Sequence, residues 1–245
     1  MKVIFVGPTL SRAEIEASDC TILPPAAQGD IARAVVGGAT TIGLIDGVYE
    51  TTAAVWHKEI LFALQRGVRV LGAASMGALR AAECAAFGME PVGEIAYRYL
   101  SGALDDDAAV AVVHAPAELG YVALSEALVD AEATILRLKD EHLVSDAEAA
   151  GLLASATHCF FKQRTPEAIV DGVAAFDAEQ RAVILAAYKL HRISLKRRDA
   201  LLLVERMAAP EPDDLVASPR PGWTLAQPSS WRQLLAELDP GAMPG

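Results

Sequence analysis

A single serine within a run of small residues, VRVLGAASMGALRAAE, is the sharpest chemical signal in the sequence. A β run breaks at Gly72-Ala73-Ala74, and a helical pattern begins at or just after Ser75. A sharp strand-to-helix turn of this kind exposes a hydroxyl and tolerates only small residues two before and two after it. Ala73 and Gly77 meet that requirement. The start of the helix adds unpaired backbone N–H groups, so the amide of Met76 stands where an oxyanion formed at Ser75 would need a donor. A plain helix cap satisfies the same residues, because Ser is among the favoured N-cap types. Both readings remain open at this level.

A serine nucleophile needs a base, and the helical stretch GVYETTAAVWHKEILFAL offers His57 and Lys58. Neighbours on a helix point about 100° apart, so only one of the two faces a given site. Lys58 acts as a base only as the neutral amine, which calls for a buried, apolar pocket. As an ordinary helix residue it would be solvated or paired with Asp46 or another carboxylate. The ordinary alternative for His57 is a hydrogen-bonded, half-buried ring.

Other motifs say less. Asp105-Asp106-Asp107 has the carboxylates for Mg²⁺ but reads more simply as a solvated turn, and no metal site is expected. Gly7-Pro8-Thr9-Leu10 matches neither a dinucleotide nor a phosphate-loop pattern, so no bound cofactor is expected. Cys20, Cys84 and Cys159 are scattered and lack C-x-x-C spacing, which fits a reducing cytoplasm rather than a disulfide framework. Lys189, Arg192, Lys196, Arg197 and Arg198 make one basic cluster, read as a solvated helix face.

The elements that must position Ser75 follow from periodicity. Residues 1–118 alternate short β-branched runs with helical patterns, the signature of an α/β fold with a mostly parallel sheet of about five strands and flanking helices. The runs are residues 2–6, 20–23, 40–45, 68–72 and 110–113. Helices are expected over 30–36, over 53–66 and from Ser75 to a stop at Gly88. Ligands of such sheets gather beyond the carboxyl ends of the strands, which here are Gly7-Pro8-Thr9, Pro24-Pro25, Asp46-Gly47, Ala73 to Gly77, and His114.

From Tyr121 onward the period is helical, with Leu124, Leu128, Ala131, Ile135 and Leu138 on one face. Ser145 with Glu148, Thr165 before Pro166, and Asp177 with Gln180 mark further helix starts, so residues 119–207 form a C-terminal helical layer. Residues 208–245 hold seven of the thirteen prolines and read as a mobile tail. Within that tail, Trp231, Leu234, Leu235 and Leu238 could line one face of a short docking helix.

Composition narrows the function. A chain of 245 residues, 53% hydrophobic, can bury a sizeable core, and a net charge of −11 disfavours nucleic-acid binding. No apolar run approaches the roughly 20 residues of a membrane span, and MKVIFVGPTL reads as a β run rather than a signal peptide. A cytoplasmic, soluble protein is expected.

The segments FVGPTL, PPAAQGDI, IGLIDGVYETTAAVWHKEIL, GAASMGALRAAECAAFGM and DDDAAVAVVH stand in the order and spacing of TfuA-like proteins, and the resemblance covers roughly residues 3–138. It implies work beside a YcaO enzyme, which activates a peptide amide with ATP, while the TfuA-like partner helps bring sulfur from a thiocarboxylated ThiS-type carrier. It also implies a hydrolase-like Ser-Lys pair, which falls here on Ser75 and Lys58. Gly7, Gly47, Gly72, Ala73, Ala74 and Gly77 would floor a narrow entrance for a glycine-ended carrier tail, with Thr9 and Asp46 beside it. His57 and His114 are secondary candidates. The competing expectation is a non-catalytic adaptor that binds the YcaO enzyme and its peptide.

Overall fold

The computed structural model describes residues 1–15, 19–49, 52–209 and 222–238. The chain separates into two compact units, one made of residues 1–103 and 199–245, the other of residues 104–198. Ten α-helices are described: α1 Asp30–Val36, α2 His57–Gln65, α3 Met76–Cys84, α4 Gly93–Leu100, α5 Leu128–Asp140, α6 Asp146–His158, α7 Pro166–Asp171, α8 Ala178–Leu190, α9 Leu195–Ala208 and α10 Ser229–Leu238.

In the first unit, strands β1 Lys2–Phe5, β2 Thr21–Leu23, β3 Thr41–Leu44, β4 Arg69–Gly72 and β5 Glu90–Pro91 form one all-parallel sheet in the order β2-β1-β3-β4-β5. Strand side chains alternate between two cores, because successive residues of a strand point to opposite faces. Val3, Phe5, Ile42, Leu44 and Val70 meet α1, α2 and Trp231 of α10 on one face. Ile4, Val6, Ile45 and Leu71 meet Ala200, Leu203 and Met207 of α9 on the other. Burial on both faces explains why these strands are apolar almost throughout. Gly43 lacks a side chain where Leu203 and Met207 press closest to the sheet.

The first four strands fall where the β runs predict, and α1 matches its expected span. The fifth does not, because β5 is Glu90–Pro91 and residues 110–113 are not a strand. They belong to the second unit and follow a 3-10 turn at Asp107–Ala109. Their main-chain bonds do not make a ladder. Val113 N–H donates to Ser125 Oγ at 2.8 Å, Val113 O accepts from Leu124 N–H at 2.7 Å, and Val110 O accepts from Lys196 Nζ at 2.9 Å.

The expected docking helix near the C-terminus forms as α10. Trp231 is fully buried with its ring edge-on to Phe62 at 5.3 Å, and Leu234, Leu235 and Leu238 pack beside it. Residues 222–238, here called the strap, thus belong to the first unit's core. The rest of the predicted tail, 210–221 and 239–245, lies outside the described residues.

The second unit is helical, and its caps are those the sequence marks. Ser145 and Glu148 cap α6 reciprocally, Thr165 Oγ1 accepts from Ala168 N–H ahead of α7, and Asp177 and Gln180 do the same for α8. α5 begins later than Leu124, which is left outside it and exposed. Glu126, Asp130 and Thr134, four residues apart, form a polar stripe in the interior. Tyr188 OH and Arg192 Nε donate to Glu126 at 2.8 Å each, and Lys196 N–H and Ser194 Oγ donate to Asp130 at 2.9 and 3.1 Å. Burial pushes the Glu126 and Asp130 carboxyls above the ordinary range despite those donors.

Candidate active site

The sheet order places a topological switch between β1 and β3, the place beyond the strand ends where ligands of such sheets bind. Asp46 closes that point. Only 2% exposed, it accepts from Gly7 N–H at 2.9 Å, Thr9 N–H at 3.0 Å and Thr9 Oγ1 at 2.6 Å, tying the loop after β1 to the loop after β3. Gly47 follows, in a bridge to Ala26, and a side chain there would collide with Met76. Gly7, Thr9, Asp46, Gly47 and Met76 are therefore neighbours at this end of the sheet.

The turn into α3 is tight. Ser75 N–H donates back to Ala73 O at 2.7 Å around Ala74, which is held at φ 67°, a left-handed conformation costing a non-glycine residue about 1 kcal/mol or more. Gly72 and Gly77 permit the approach: a methyl on Gly77 would lie inside the Leu44 carbonyl, and one on Gly72 inside the Gly77 carbonyl. Gly77 N–H donates to Ile45 O at 3.1 Å and is therefore a framework contact, not an oxyanion donor. Met76 N–H, the first in the helix, has no intrahelical acceptor, and among the described residues it has no other backbone acceptor.

Ser75 is the N-terminal boundary residue of α3, but its hydroxyl does not cap the helix. Its carbonyl closes the first turn by accepting from Ala78 and Leu79. The side chain is half-buried beside the unspent Met76 amide. A hydroxyl released from capping next to a free N–H can attack a carbonyl carbon and leave the developing oxyanion a donor.

Lys58 lies in the first turn of α2, half-buried. Its Nζ donates to Ala226 O of the strap at 2.6 Å, and among the described residues no hydrogen bond joins it to Ser75. His57 is exposed and directed elsewhere: Nε2 lies 2.7 Å from Glu83 Oε2, which also accepts from Arg80 Nη1 at 2.7 Å. Partial burial alone would raise the Glu83 carboxyl, but hydrogen bonds from His57 and Arg80 hold it below the ordinary range. His114 belongs to the second unit, with Nδ1 2.8 Å from Ala115 O and its ring against Tyr121.

Two residues escape the sequence reading. Glu59, fully buried, accepts from Trp56 N–H at 3.1 Å and Ala32 N–H at 3.3 Å, and Gly29 N–H also bonds it, so one carboxylate clamps the starts of α1 and α2. Burial raises its pKa, and those three amides only partly offset the effect. A glutamate three residues after Trp56 is the signal that could have found it. Ala226 carried no signal, since its contribution is a main-chain carbonyl.

The model of the TfuA-like protein family matches residues 46–165. Over those residues the chain belongs to that family. The TfuA-like match opens on Asp46 and takes in Lys58, Ser75 and His114, while Gly7 and Thr9 precede it. No curated protein matches the chain. Among the described residues no cluster of His, Cys, Asp or Glu could hold a metal, and no helix is long and apolar enough to cross a membrane. Asp106 of the acidic run accepts from Ala108 N–H at 2.9 Å and starts the 3-10 turn.

Proposed function

We propose that this TfuA-like chain is a serine hydrolase acting on the C-terminal thiocarboxylate of a ThiS-type carrier, releasing sulfide for a YcaO enzyme engaged in backbone thioamidation. The observation that carries the reading is the uncapping Ser75 hydroxyl beside the unspent Met76 amide at the strained Ala74 turn. The carrier, the YcaO partner and its ATP follow from the family resemblance. The chain itself contributes Ser75, Lys58 and the small-residue floor.

In the first step Lys58, as the neutral amine, takes the Ser75 proton while Oγ bonds to the thiocarboxylate carbon. The oxygen left with charge takes a bond from Met76 N–H. Collapse breaks the C–S bond, and sulfur leaves as HS⁻ with the proton Lys58 had accepted. Water then attacks the seryl ester, giving one proton to Lys58, which returns it to Ser75 Oγ, and the carrier leaves as a carboxylate with the second water proton released to solvent.

The adaptor reading has its own supporting observation, because Lys58 is bonded to Ala226 rather than to Ser75. Sulfide release from a ThiS-type thiocarboxylate distinguishes the two. The wild-type protein should release sulfide, and Ser75→Ala, with unchanged circular dichroism, should lose at least about 10²-fold of that rate. Equal release by both folded proteins, or none from either, would leave the adaptor.

A further inference from the structure

The strap is held at three places on the first unit. Trp223 stands edge-on to Phe87 with ring centroids 5.6 Å apart, Ala226 O takes Lys58 Nζ at 2.6 Å, and Trp231 fills a seat against Phe62. Leu225 and Leu234 pack against the same core cluster, with Leu234 approaching Gly29 at the start of α1. The central point matters chemically, since it occupies the one side chain that the Ser75 reaction needs as a base.

The way the strap is held suits release. Trp231 Nε1 is buried with no hydrogen-bond partner, so the indole sits in its seat through apolar contact alone, with an unmet donor opposing it. No ion pair within residues 222–238 ties the strap to the body among the described contacts. Lifting it costs contact area and one Lys58 bond, not a buried charge network.

We propose that residues 222–238 are an autoinhibitory latch. Docked, the strap holds Lys58 on the Ala226 carbonyl; lifted, it releases Lys58 to Ser75. The proposal rests on the hydrolase reading of Ser75 and Lys58, and its test separates the two.

Full-length wild type, Trp231→Ala and Trp231→Phe are treated with a limiting amine-acylating reagent, and labelling of each lysine is quantified by peptide mass spectrometry. Lys139 and Lys189 of the second unit serve as references. Lys58 labelling should rise about tenfold in Trp231→Ala and stay near wild type in Trp231→Phe, with the references unchanged. If Trp231→Ala fails to fold, Trp223→Ala and Leu234→Ala, which loosen the strap at its rim, should give a smaller rise in the same direction. Unchanged Lys58 labelling in a folded variant overturns the latch. Sulfide release is measured on the same proteins, and it should rise with Lys58 labelling. Release that stays flat while labelling rises overturns the regulatory role. Raised labelling with no release from any variant supports strap control of Lys58 and removes the hydrolase reading instead.

Discussion

In the first unit Gly72 and Gly77 bring main chain against main chain, whereas in the second Glu126, Asp130 and Lys196 bring charged side chains into the interior. The first arrangement leaves no room for an added atom on either glycine beside Ser75. The second relies on hydrogen bonds that can be retuned one at a time but carry the desolvation cost of every carboxylate. The contrast teaches where each unit is brittle: the first to added volume, the second to proton balance.

Adding a methyl tests the first half of that contrast and should give the largest effect. Gly77→Ala should lose more than about 3 kcal/mol in urea unfolding, because the obstacle is the Leu44 backbone carbonyl and cannot swing away. Gly151→Ala in α6 meets only a Val173 methyl at 3.2 Å and should stay within about 1 kcal/mol of wild type, helped by alanine's helix propensity. Equal losses at both positions would break the comparison.

Proton balance is tested at Asp130. The folded state binds its proton more tightly than the unfolded chain does, so this group's stabilisation falls as pH climbs from the ordinary aspartate range through the raised value. Amide-exchange protection of residues 128–140, corrected for intrinsic rates, should therefore decline over that window. Asp130→Asn, which keeps an acceptor for Lys196 N–H, should make the decline shallower, while a steeper one would contradict the assignment. The smallest effect belongs to the surface: Ser145→Ala removes one half of a reciprocal cap and should cost about 1 kcal/mol, seen as faster exchange in the first turn of α6.

How much was legible in the sequence follows the same division. Strands β1 to β4, helix α1 and the caps at Ser145, Thr165 and Asp177 are written locally, in period-two runs or in residues three apart. β5 was missed because two residues, one of them proline, make no β pattern and are placed by pairing with Leu71 and Gly72. α4 was missed because its cap is remote: Ile95 N–H donates to Asp199 Oδ2 at 2.7 Å, and Gly93, at φ 84°, leaves room for that carboxylate. Residues 110–113 misled because their β-branched run makes isolated bonds to Leu124, Ser125 and Lys196 rather than a strand ladder. At the candidate site, Ser75, Asp46 and the glycines could be read from local spacing. The hold of Ala226 on Lys58 could not, because a main-chain carbonyl 168 residues away in sequence has no residue type to betray it.

The placement of the tryptophans has a spectroscopic consequence. All three, Trp56, Trp223 and Trp231, stand in the first unit, and two of them are in the strap. Intrinsic fluorescence of this protein is therefore almost silent about the helical second unit. A red shift on binding or mild denaturation would report water reaching the Trp231 indole, making the unmodified chain its own optical sensor of strap position.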